Sequence, residues 1–473
     1  MENDLFETNY TKYIEPIYWQ LSNPIEFTDF SLNTHKYKIN NSYRCDMTNL
    51  NIFSIDPPGC KDADDAFSIY YQNKNNIKLL YLIIHIADPT EYIDISSNLW
   101  KNICERVTTK YLSNRPSIPM MPNKILELSS LMTNSTSEIK KSISIKCEID
   151  QNTFLPIGEI KLYFSKINGS QGNSYTYEEA GKLSNIKREF KLGLKISEAL
   201  KKRRQVKTKG TKLSEINIAY PVFKDNNIFL YEDDINEKKM KQMIGEFAIF
   251  ANSFVGEYLK ININSGIFRT CDANEWLNTI HSNISGEDML KEIITNGIKA
   301  DYLSTVQSHD LVGSPEYCHF TSPIRRVTDC VCHYLLKYVY FKNNKIKNIE
   351  VPFNPKELEK LALKCNTISK KDRKNNFLDN KFRLLQVMAN MISRNEFINI
   401  EFYITGYSGL FLNIIINKIN YYNVHMSYTI RIKNYNKEIN EKTCHLLIIK
   451  KVNCFIKYDE NTIPELEEYI LQK

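Results

Sequence analysis

Alternating apolar and polar side chains mark the strands in the first half of the chain. Over Lys141–Ile149 every second residue from Ile143 onward is apolar, which predicts a half-buried strand. The alternation returns over Ile160–Phe164 after a turn that contains proline and glycine, so we expect an antiparallel hairpin. A continuous apolar run over residues 79–84 predicts a buried strand. It leads into His85, which we interpret as a core histidine with satisfied hydrogen bonds.

Apolar residues at helical spacing predict the helices. Thr176 and Glu179 form a capping-box pattern, so one helix begins near Thr176 and has Tyr177 in its first turn. Short helices are expected between residues 273 and 305. The longer predicted helices cover about 95–112, 240–255, 355–370 and 373–395.

The pattern changes near residue 400. Short β-like segments follow one another from Phe402 to about Ile456, and a brief helix is predicted at about 463–471. We therefore place a domain boundary near 400 and a small β-barrel after it. The predicted fold class is α+β: a mixed or antiparallel sheet flanked by helices, followed by that barrel.

Composition restricts the class of protein. The chain has 473 residues, 42% of them hydrophobic, which is enough for large cores in two to four domains. A net charge of +7 is modest for this length and identifies no partner. The 11 cysteines lack a framework spacing, which favours a reduced, intracellular protein. The acidic start does not resemble a signal peptide, and the longest apolar run, Leu79–Ala87, is too short to cross a bilayer.

Ser54–Ile69 carries the most informative chemistry. Its four aspartates lie on both sides of Pro57–Gly59, which breaks any regular element between two strand-like runs. They are Asp56, Asp62, Asp64 and Asp65. Four ionised carboxylates repel one another unless a cation is present, and oxygen ligands suit Mg²⁺ or Mn²⁺ better than Zn²⁺. The stretch therefore predicts a metal site for phosphodiester chemistry. The alternatives are an acidic, solvated turn and a structural Ca²⁺ loop, although the spacing does not follow the calcium-loop pattern.

His319–Arg326 is the second informative stretch. Ser322 is a good N-cap and the proline after it a good first helical residue, so Arg325 and Arg326 are expected in the first turn of a helix. Cations there oppose the helix dipole unless they face an anion, and guanidinium groups at a helix start form a natural phosphate receptor. Asp329 is placed to hold Arg325 in an ion pair, and a plain surface pair is the alternative.

These stretches and three others, in this order along the chain, resemble one family. The family is that of the ribonuclease II-like (RNB) 3′→5′ exoribonucleases, which includes bacterial ribonucleases II and R and the exosome's catalytic subunit. The matching stretches are Asp56–Asp65, His85–Asp88, Tyr111–Pro122, Ser174–Ala180 and His319–Asp329. The resemblance covers roughly residues 50–395 and implies the family's catalytic fold.

The resemblance also implies roles for the catalytic residues. Asp56, Asp62 and Asp65 would ligate Mg²⁺, with Mn²⁺ as a substitute. Asp64 would be the carboxylate most closely tied to turnover, and Arg325 would hold the scissile phosphate and its developing charge.

Contacts to RNA are implied in the same way. Tyr177, a catalytic residue in this scheme, would position the 3′-terminal nucleotide, and Tyr111 would stack near the product end. Arg326 would bind the RNA backbone. Asp379 is our match for a family glutamate near the substrate.

The resemblance predicts three regions. Residues 1–45 form an N-terminal arm in place of the full cold-shock barrels that usually precede the catalytic domain. Residues 46–398 form the RNB catalytic domain, and residues 399–473 form a reduced OB-fold RNA-binding domain.

Three hypotheses about function follow from the sequence. The first is an Mg²⁺-dependent exoribonuclease that hydrolyses single-stranded RNA to nucleoside 5′-monophosphates by two-metal-ion attack of water. The second is a catalytically inactive RNB-fold module for RNA binding or assembly. The third is a DNase or general phosphodiesterase, since RNA preference depends on recognition of the 2′-OH. We expect an intracellular, cytoplasmic monomer with RNA as its partner and no membrane association; a partner from an RNA-decay complex stays open.

Overall fold

A computed structural model defines the fold. It describes residues 35–111, 117–132, 139–169, 173–207, 218–224, 227–279, 289, 292–293, 297–346, 348–394, 400–408, 411–431, 447–453 and 468–472.

The described residues form strands, α-helices and two short 3-10 helices (Asn41–Tyr43 and Pro89–Glu91). The strands are β1 (Cys45–Asp46), β2 (Phe53–Asp56), β3 (Asp65–Lys74), β4 (Ile77–Ala87), β5 (Ile139–Ile149), β6 (Pro156–Asn168), β7 (Asn173–Thr176), β8 (Tyr220–Lys224), β9 (Asn227–Tyr231), β10 (Phe268–Thr270), β11 (Asp301–Leu303), β12 (Ile400–Ser408), β13 (Phe411–Ile419), β14 (Tyr422–Arg431), β15 (Leu447–Asn453) and β16 (Glu468–Gln472). The α-helices are α1 (Asn98–Arg106), α2 (Asn123–Ser129), α3 (Tyr177–Leu183), α4 (Arg188–Lys207), α5 (Ile235–Ile263), α6 (Asn274–Thr279), α7 (Val327–Asn343) and α8 (Pro355–Ser393).

A seven-stranded mixed sheet forms the centre of the molecule. Its order is β1-β6-β5-β4-β3-β2-β7, with parallel pairs only at the two edges, β1 with β6 and β2 with β7. The β5–β6 hairpin predicted from the sequence is confirmed, because the two strands pair antiparallel along most of their length. Phe53 and Phe67 on the sheet pack against Phe190 of α4, and Phe67 also packs against Phe247 of α5. Helices α4 and α5 thus cover the face of the sheet next to the edge that carries the aspartates.

The β5 strand is more buried than its alternation predicts. Ser142 and Ser144, on the face expected to be solvated, are fully buried. Their hydroxyls form a polar network: Ser142 and Ser144 both lie within hydrogen-bonding distance of Ser165 (2.8 and 2.5 Å), and Ser144 Oγ is 2.8 Å from His85 Nδ1. His85 also contacts Ser68 at 3.1 Å, so the prediction of a satisfied core histidine is confirmed. Serines that alternate with apolar residues indicate a solvated face in a sequence. Here they are buried, because their hydroxyls form hydrogen bonds with one another.

Two helix predictions need correction. Helix α1 ends at Arg106 instead of near 112, because Val107 adopts a left-handed conformation with φ 67°. The predicted pair of helices at 355–370 and 373–395 is one continuous helix, α8. The polar residues at 370–372 contain no proline or glycine, so nothing interrupts the backbone hydrogen bonds there. None of the helices in the described ranges is both long and apolar enough to span a bilayer.

The C-terminal region contains a five-stranded antiparallel sheet in the order β14-β13-β12-β15-β16. Within the described residues no pairing joins β14 to β16, so the predicted OB-type barrel is not confirmed. The helix predicted at 463–471 is wrong for its described part, since Glu468–Gln472 is a strand paired with β15. The start of that predicted helix lies outside the described residues, as do residues 1–34 of the predicted N-terminal arm.

A buried ion-pair network joins the start of the described chain to the core. Arg44 contacts Asp88 and Glu91, each at 2.7 Å, and Lys337 of α7 contacts the same two carboxylates at 3.0 and 3.1 Å. All four side chains are fully buried. The neighbouring cations hold the pKa of Asp88 well below its usual value, with Lys337 the largest favourable contribution. The network fixes the end of β4 against α7, whose first residue follows the arginine stretch.

Candidate active site

The sheet topology places the aspartates at one edge. Asp56 is the last residue of β2 and Asp65 the first of β3, and the connecting loop carries Asp62 and Asp64. The loop turns at Gly59, whose φ of 77° suits glycine. The predicted bend between two strands is therefore confirmed.

Asp64 is the aspartate most tightly held by its neighbours. Its side chain is 5% exposed, Oδ1 accepts a hydrogen bond from the Ile324 amide at 2.7 Å, and Oδ2 accepts one from Arg325 Nε at 3.1 Å. Arg325 Nη2 in turn donates to Ser322 Oγ at 2.9 Å. Burial raises the pKa of Asp64 to about 7 although Arg325 and the Ile324 amide lower it. The structure thus joins the two stretches singled out in the sequence, which lie about 260 residues apart.

Asp56 and Asp65 share this electrostatic environment. Burial, and next the charge of Asp64, raises the pKa of Asp56 to about 6. Burial, and next the charge of Asp56, raises the pKa of Asp65 to about 7. Arg325 opposes both shifts. The three carboxyls therefore disfavour one another's ionisation, and the Arg325 guanidinium compensates them only in part. Such a site favours additional positive charge.

The arginine stretch is built differently from the sequence prediction. Helix α7 begins at Val327 with Arg326 as its N-cap, so Arg325 and Arg326 precede the helix instead of lying in its first turn. Asp329 pairs with Arg326 at 2.8 Å, whereas the partner of Arg325 is Asp64. The Ile324 amide and the Arg325 side chain are both directed to Asp64, which draws this segment away from helical geometry. The predicted Arg325–Asp329 pair is therefore wrong.

Helix α5 supports the arginine stretch from behind. The side chain of Asn252 accepts hydrogen bonds from the Phe320 and Thr321 amides at 2.8 and 3.2 Å and donates to the Tyr317 hydroxyl at 3.0 Å. One turn further on, a Cβ at Gly256 would lie 2.7 Å from the Glu316 carbonyl oxygen. Only glycine permits this close approach without a shift of the backbone.

Tyr111 approaches the aspartates from the segment after α1. Thr109 donates its amide hydrogen to the Arg325 carbonyl at 3.1 Å, and Lys110 forms an ion pair with Asp372 of α8 at 2.5 Å. These contacts place the half-exposed Tyr111 ring near Arg325. Burial raises the pKa of Tyr111, and the charges of Asp62 and Asp64 act in the same direction against Arg325. Part of the predicted proline-rich loop, residues 112–116, lies outside the described residues.

Tyr177 reaches the site from the other side. It is the first residue of α3, and the predicted Thr176–Glu179 capping box is present. Asp56 pairs with Thr176 in the parallel β2–β7 register, which fixes Tyr177 beside the end of β2. Burial, followed by Asp65 and Asp56, raises the pKa of Tyr177. Two tyrosines thus flank the aspartates and Arg325.

Asp379 lies elsewhere on α8. Its side chain is 4% exposed, and Oδ1 is 3.8 Å from Arg383 Nε. Asp379 is seven residues beyond Asp372, about 10 Å along the helix axis. The structure thus places Asp379 beside Arg383, and its role in RNA contact stays a prediction.

The aspartates suit a hard divalent cation in their chemistry. Asp56 Oδ2 is buried and has no hydrogen-bond partner among the described residues, as expected for an oxygen that awaits a ligand. Cys60, within the same loop, donates its thiol to Asp62 at 3.6 Å, and burial raises the pKa of this thiol to about 12, so it is protonated in the metal-free site. As placed, no three or more His, Cys, Asp or Glu side chains in the described part of the chain form a metal-holding group. The donor set fits the cation, whereas a completed cage is not formed.

Several contributors to the site were missed by the sequence analysis. The Ile324 amide carries no side-chain signal. Lys110 stands next to Tyr111, but its partner Asp372 is 262 residues away. Asn252 lies in a helix that apolar spacing marks only as core. The capping role of Ser322 could have been questioned, because two arginines in a first turn are unfavourable.

Comparison with protein families matches residues 44–342 of this chain to the RNB domain. Among curated proteins, the ribonuclease R of Mycoplasma genitalium is 27% identical over 369 residues, which cover 68% of this chain and 49% of that protein. This chain spans about half the length of the curated relatives it matches.

Solved structures share the fold. Mycoplasma genitalium RNase R in complex with ribose methylated single-stranded RNA matches with a TM-score of 0.66 at 20% identity, covering 95% of this chain and 75% of that one. Yeast Ssd1, described as a pseudonuclease, matches with a TM-score of 0.64 at 16% identity, covering 86% and 52%. The same fold therefore occurs in a ribonuclease bound to RNA and in a protein described as a pseudonuclease.

Proposed function

The chain belongs to the RNB domain family, and from this premise we propose that it is a 3′→5′ exoribonuclease. Its substrate would be single-stranded RNA and its products nucleoside 5′-monophosphates. The curated relative is a ribonuclease R, and a structural neighbour of the same name holds RNA.

One observation carries the proposal. Asp64, with its raised pKa, is held by the Ile324 amide and by Arg325, and Asp56 and Asp65 lie within electrostatic reach of the same guanidinium. Carboxyls that raise one another's pKa beside an arginine lower the stability of the fold, so stability alone does not explain their presence. It suits a reaction in which negative charge develops on a phosphate.

We assign roles to the residues from these contacts. Arg325 would bind the scissile phosphate and its developing charge, and Asp64 would orient Arg325 through the Nε contact. Tyr177 would position the 3′-terminal nucleotide, and the exposed ring of Tyr111 would stack near the product. Arg326 would contact the RNA backbone.

Divalent cations, Mg²⁺ or Mn²⁺, are proposed as the cofactor. Asp56, Asp62 and Asp65 would hold them, since their oxygens are hard ligands and Asp56 Oδ2 is unsatisfied within the described residues. When bound, two such ions would lower the pKa of the attacking water and stabilise the leaving oxygen.

The second candidate is an inactive RNA-binding module. The likeness to a pseudonuclease favours it, as does the incomplete cation cage of the described residues. The buried aspartates oppose it, because a chain without catalysis gains nothing from carboxyls that raise one another's pKa.

The direct test is product analysis on a labelled single-stranded RNA with Mg²⁺, with and without EDTA. We expect loss of the 3′-terminal label first, nucleoside 5′-monophosphates as products, and no reaction in EDTA. Uncut RNA in Mg²⁺ and Mn²⁺ would establish the inactive module.

A DNA oligomer of the same sequence tests the third hypothesis, that of a DNase or general phosphodiesterase. Equal digestion of RNA and DNA would indicate a general phosphodiesterase. Digestion of RNA alone supports the ribonuclease.

A further inference from the structure

A second cationic site lies beside the arginine stretch, and two of its residues, Arg269 and Tyr302, have no role among those assigned above. Arg269 of β10 and Tyr302 of β11 are directly opposite each other in the antiparallel pair. Cross-strand partners project from the same face of a sheet. The Arg269 guanidinium accordingly lies over the Tyr302 ring, 4.5 Å from its centroid.

Tyr302 is a rigid platform for this guanidinium. Asn366 of α8 accepts a hydrogen bond from the Tyr302 amide at 2.7 Å and donates one to its carbonyl at 2.8 Å. The Tyr302 hydroxyl lies 2.7 Å from His319 Nδ1, and the ring is 7% exposed. A ring fixed at its backbone and at its hydroxyl loses little entropy when a ligand binds beside it.

The cations around this platform lack a full complement of anions. Within the described part of the chain the Arg269 side chain makes no ion pair or hydrogen bond. Asp301 attracts it only at longer range, and Arg326 and Arg373 repel it. Arg326 pairs with Asp329, but its Nε is buried without a hydrogen-bond partner among the described residues. Buried donors of this kind are normally satisfied by a partner.

Burial of cations that repel one another is unfavourable unless an anion joins them. Burial lowers the pKa of Arg269, and the charges of Arg373 and Arg326 act in the same direction, whereas Tyr302 and Asp301 oppose them. The pKa of His319 is also lowered, by burial and by Arg326 and Arg269, so this ring is neutral and adds a hydrogen-bonding group without further charge.

We propose that Arg269, stacked on Tyr302, and the Arg326 side chain, which is 20% exposed, form a second phosphate-binding subsite that holds a backbone phosphate of the RNA other than the scissile one. Arg325 contacts Asp64, whereas Arg326 contacts Asp329 and lies within electrostatic range of Tyr302, so the two adjacent arginines serve two different phosphates. The exposed Arg373 forms the outer rim. This inference rests on the proposed function.

The test measures RNA binding without cleavage. Arg269→Gln is compared with the unaltered chain in EDTA, with a fluorescent single-stranded RNA and increasing KCl. Loss of one phosphate contact should weaken binding about tenfold at low salt and reduce the slope of log Kd against log salt by about 0.7. Arg269→Lys should restore the slope, because it restores the charge.

Two controls make the result specific. Arg188 also lies over a tyrosine ring, Tyr71, but is exposed and paired with Glu189, so Arg188→Gln should leave both values unchanged. A nucleoside 5′-monophosphate should bind equally to the unaltered chain and to Arg269→Gln, because it lacks the second phosphate. A loss for the monophosphate would assign Arg269 to the terminal or product phosphate and overturn the proposal.

An unchanged affinity and slope in a folded Arg269→Gln variant would also overturn the subsite while leaving the exoribonuclease intact. If the unaltered chain bound no RNA and released no mononucleotides, the proposed function itself would fail. Thermal melting confirms that each variant is folded.

Discussion

At the residue scale, the proposed chemistry depends on Asp64 and on the hydrogen bonds that its two oxygens accept. A main-chain amide and a guanidinium hold this carboxylate in place, while burial makes its proton hard to remove. The same guanidinium is the group proposed to receive the phosphate. Substrate binding, carboxylate charge and arginine orientation are therefore coupled within one set of contacts.

The raised pKa values predict an unusual dependence of stability on pH. An unfolded aspartate has a pKa near 4, whereas Asp56 titrates at about 6 and Asp64 and Asp65 at about 7 in the fold. Between these values the folded chain binds more protons than the unfolded one, so these groups make the free energy of unfolding fall as pH rises. In EDTA, Asp65→Asn should flatten that fall between about pH 5 and 7.

Denaturant titrations at several pH values check this prediction. Glu105→Gln, an exposed substitution on α1, should follow the unaltered chain. Adding Mg²⁺ should stabilise the unaltered chain most at high pH, where the cation no longer competes with protons. Identical slopes for Asp65→Asn and the unaltered chain would show that these carboxyls do not have raised pKa values.

At the element scale, α5 organises the site without contributing a reacting group. Asn252 fixes two amides of the arginine stretch, and Gly256 lets the preceding segment approach the helix. The orientation of Arg325 therefore depends on contacts that α5 makes with the residues before it.

Replacement of Asn252 by alanine should be costly for this reason. It leaves the buried Phe320 and Thr321 amides without their acceptor, which should lower the free energy of unfolding by about 2 kcal/mol. Mononucleotide release should fall further than the loss of folded protein explains. Asn262→Ala on the same helix removes only a bond to the Tyr258 carbonyl, so it should have a small effect in urea titrations and activity assays. Equal effects of both substitutions would contradict the supporting role of α5.

Elements with a strong local signal could be predicted from the sequence. The β5–β6 hairpin, the capping box before Tyr177 and the bend at Gly59 each depend on residues close together in the chain. The start of α7 could not, because an aspartate about 260 residues earlier determines it. The predicted gap between residues 370 and 373 is absent from α8, because no proline or glycine there interrupts the helix.

In the candidate site, too, some features could be predicted from the sequence and others could not. The identity of the aspartates and arginines was evident from spacing and from the family resemblance. Their pairing was not, since both Arg325 and Arg326 are within reach of Asp329 on sequence spacing alone. Asp379 lies beside Arg383, and its contact with RNA stays a prediction.

At the scale of the whole molecule, the buried ion-pair network ties distant parts of the chain together. Arg44, Asp88, Glu91 and Lys337 join the segment before β1, the end of β4 and α7. Each charge is tolerated in the core because the others are present. The arginine stretch precedes α7 directly, so the network also fixes the base from which Arg325 extends.

Lys337→Met should therefore be strongly destabilising. It leaves Asp88 and Glu91 with less positive charge in the core, and we expect a loss of about 3–5 kcal/mol in the free energy of unfolding. Lys342→Met, on the same helix but exposed, should change stability by less than about 0.5 kcal/mol. Chemical denaturation of both variants measures the difference, and a near-neutral Lys337→Met would show that the network contributes little.

In the proposed mechanism Asp64 and its neighbours form a working hydrolytic centre. The most direct test is Asp64→Asn, assayed for mononucleotide release from single-stranded RNA in Mg²⁺ and for RNA binding in the same buffer. We predict that release falls by at least about a hundredfold while binding is retained, because the substitution removes a charge and leaves the fold in place. Undiminished release by a folded Asp64→Asn variant would contradict the account.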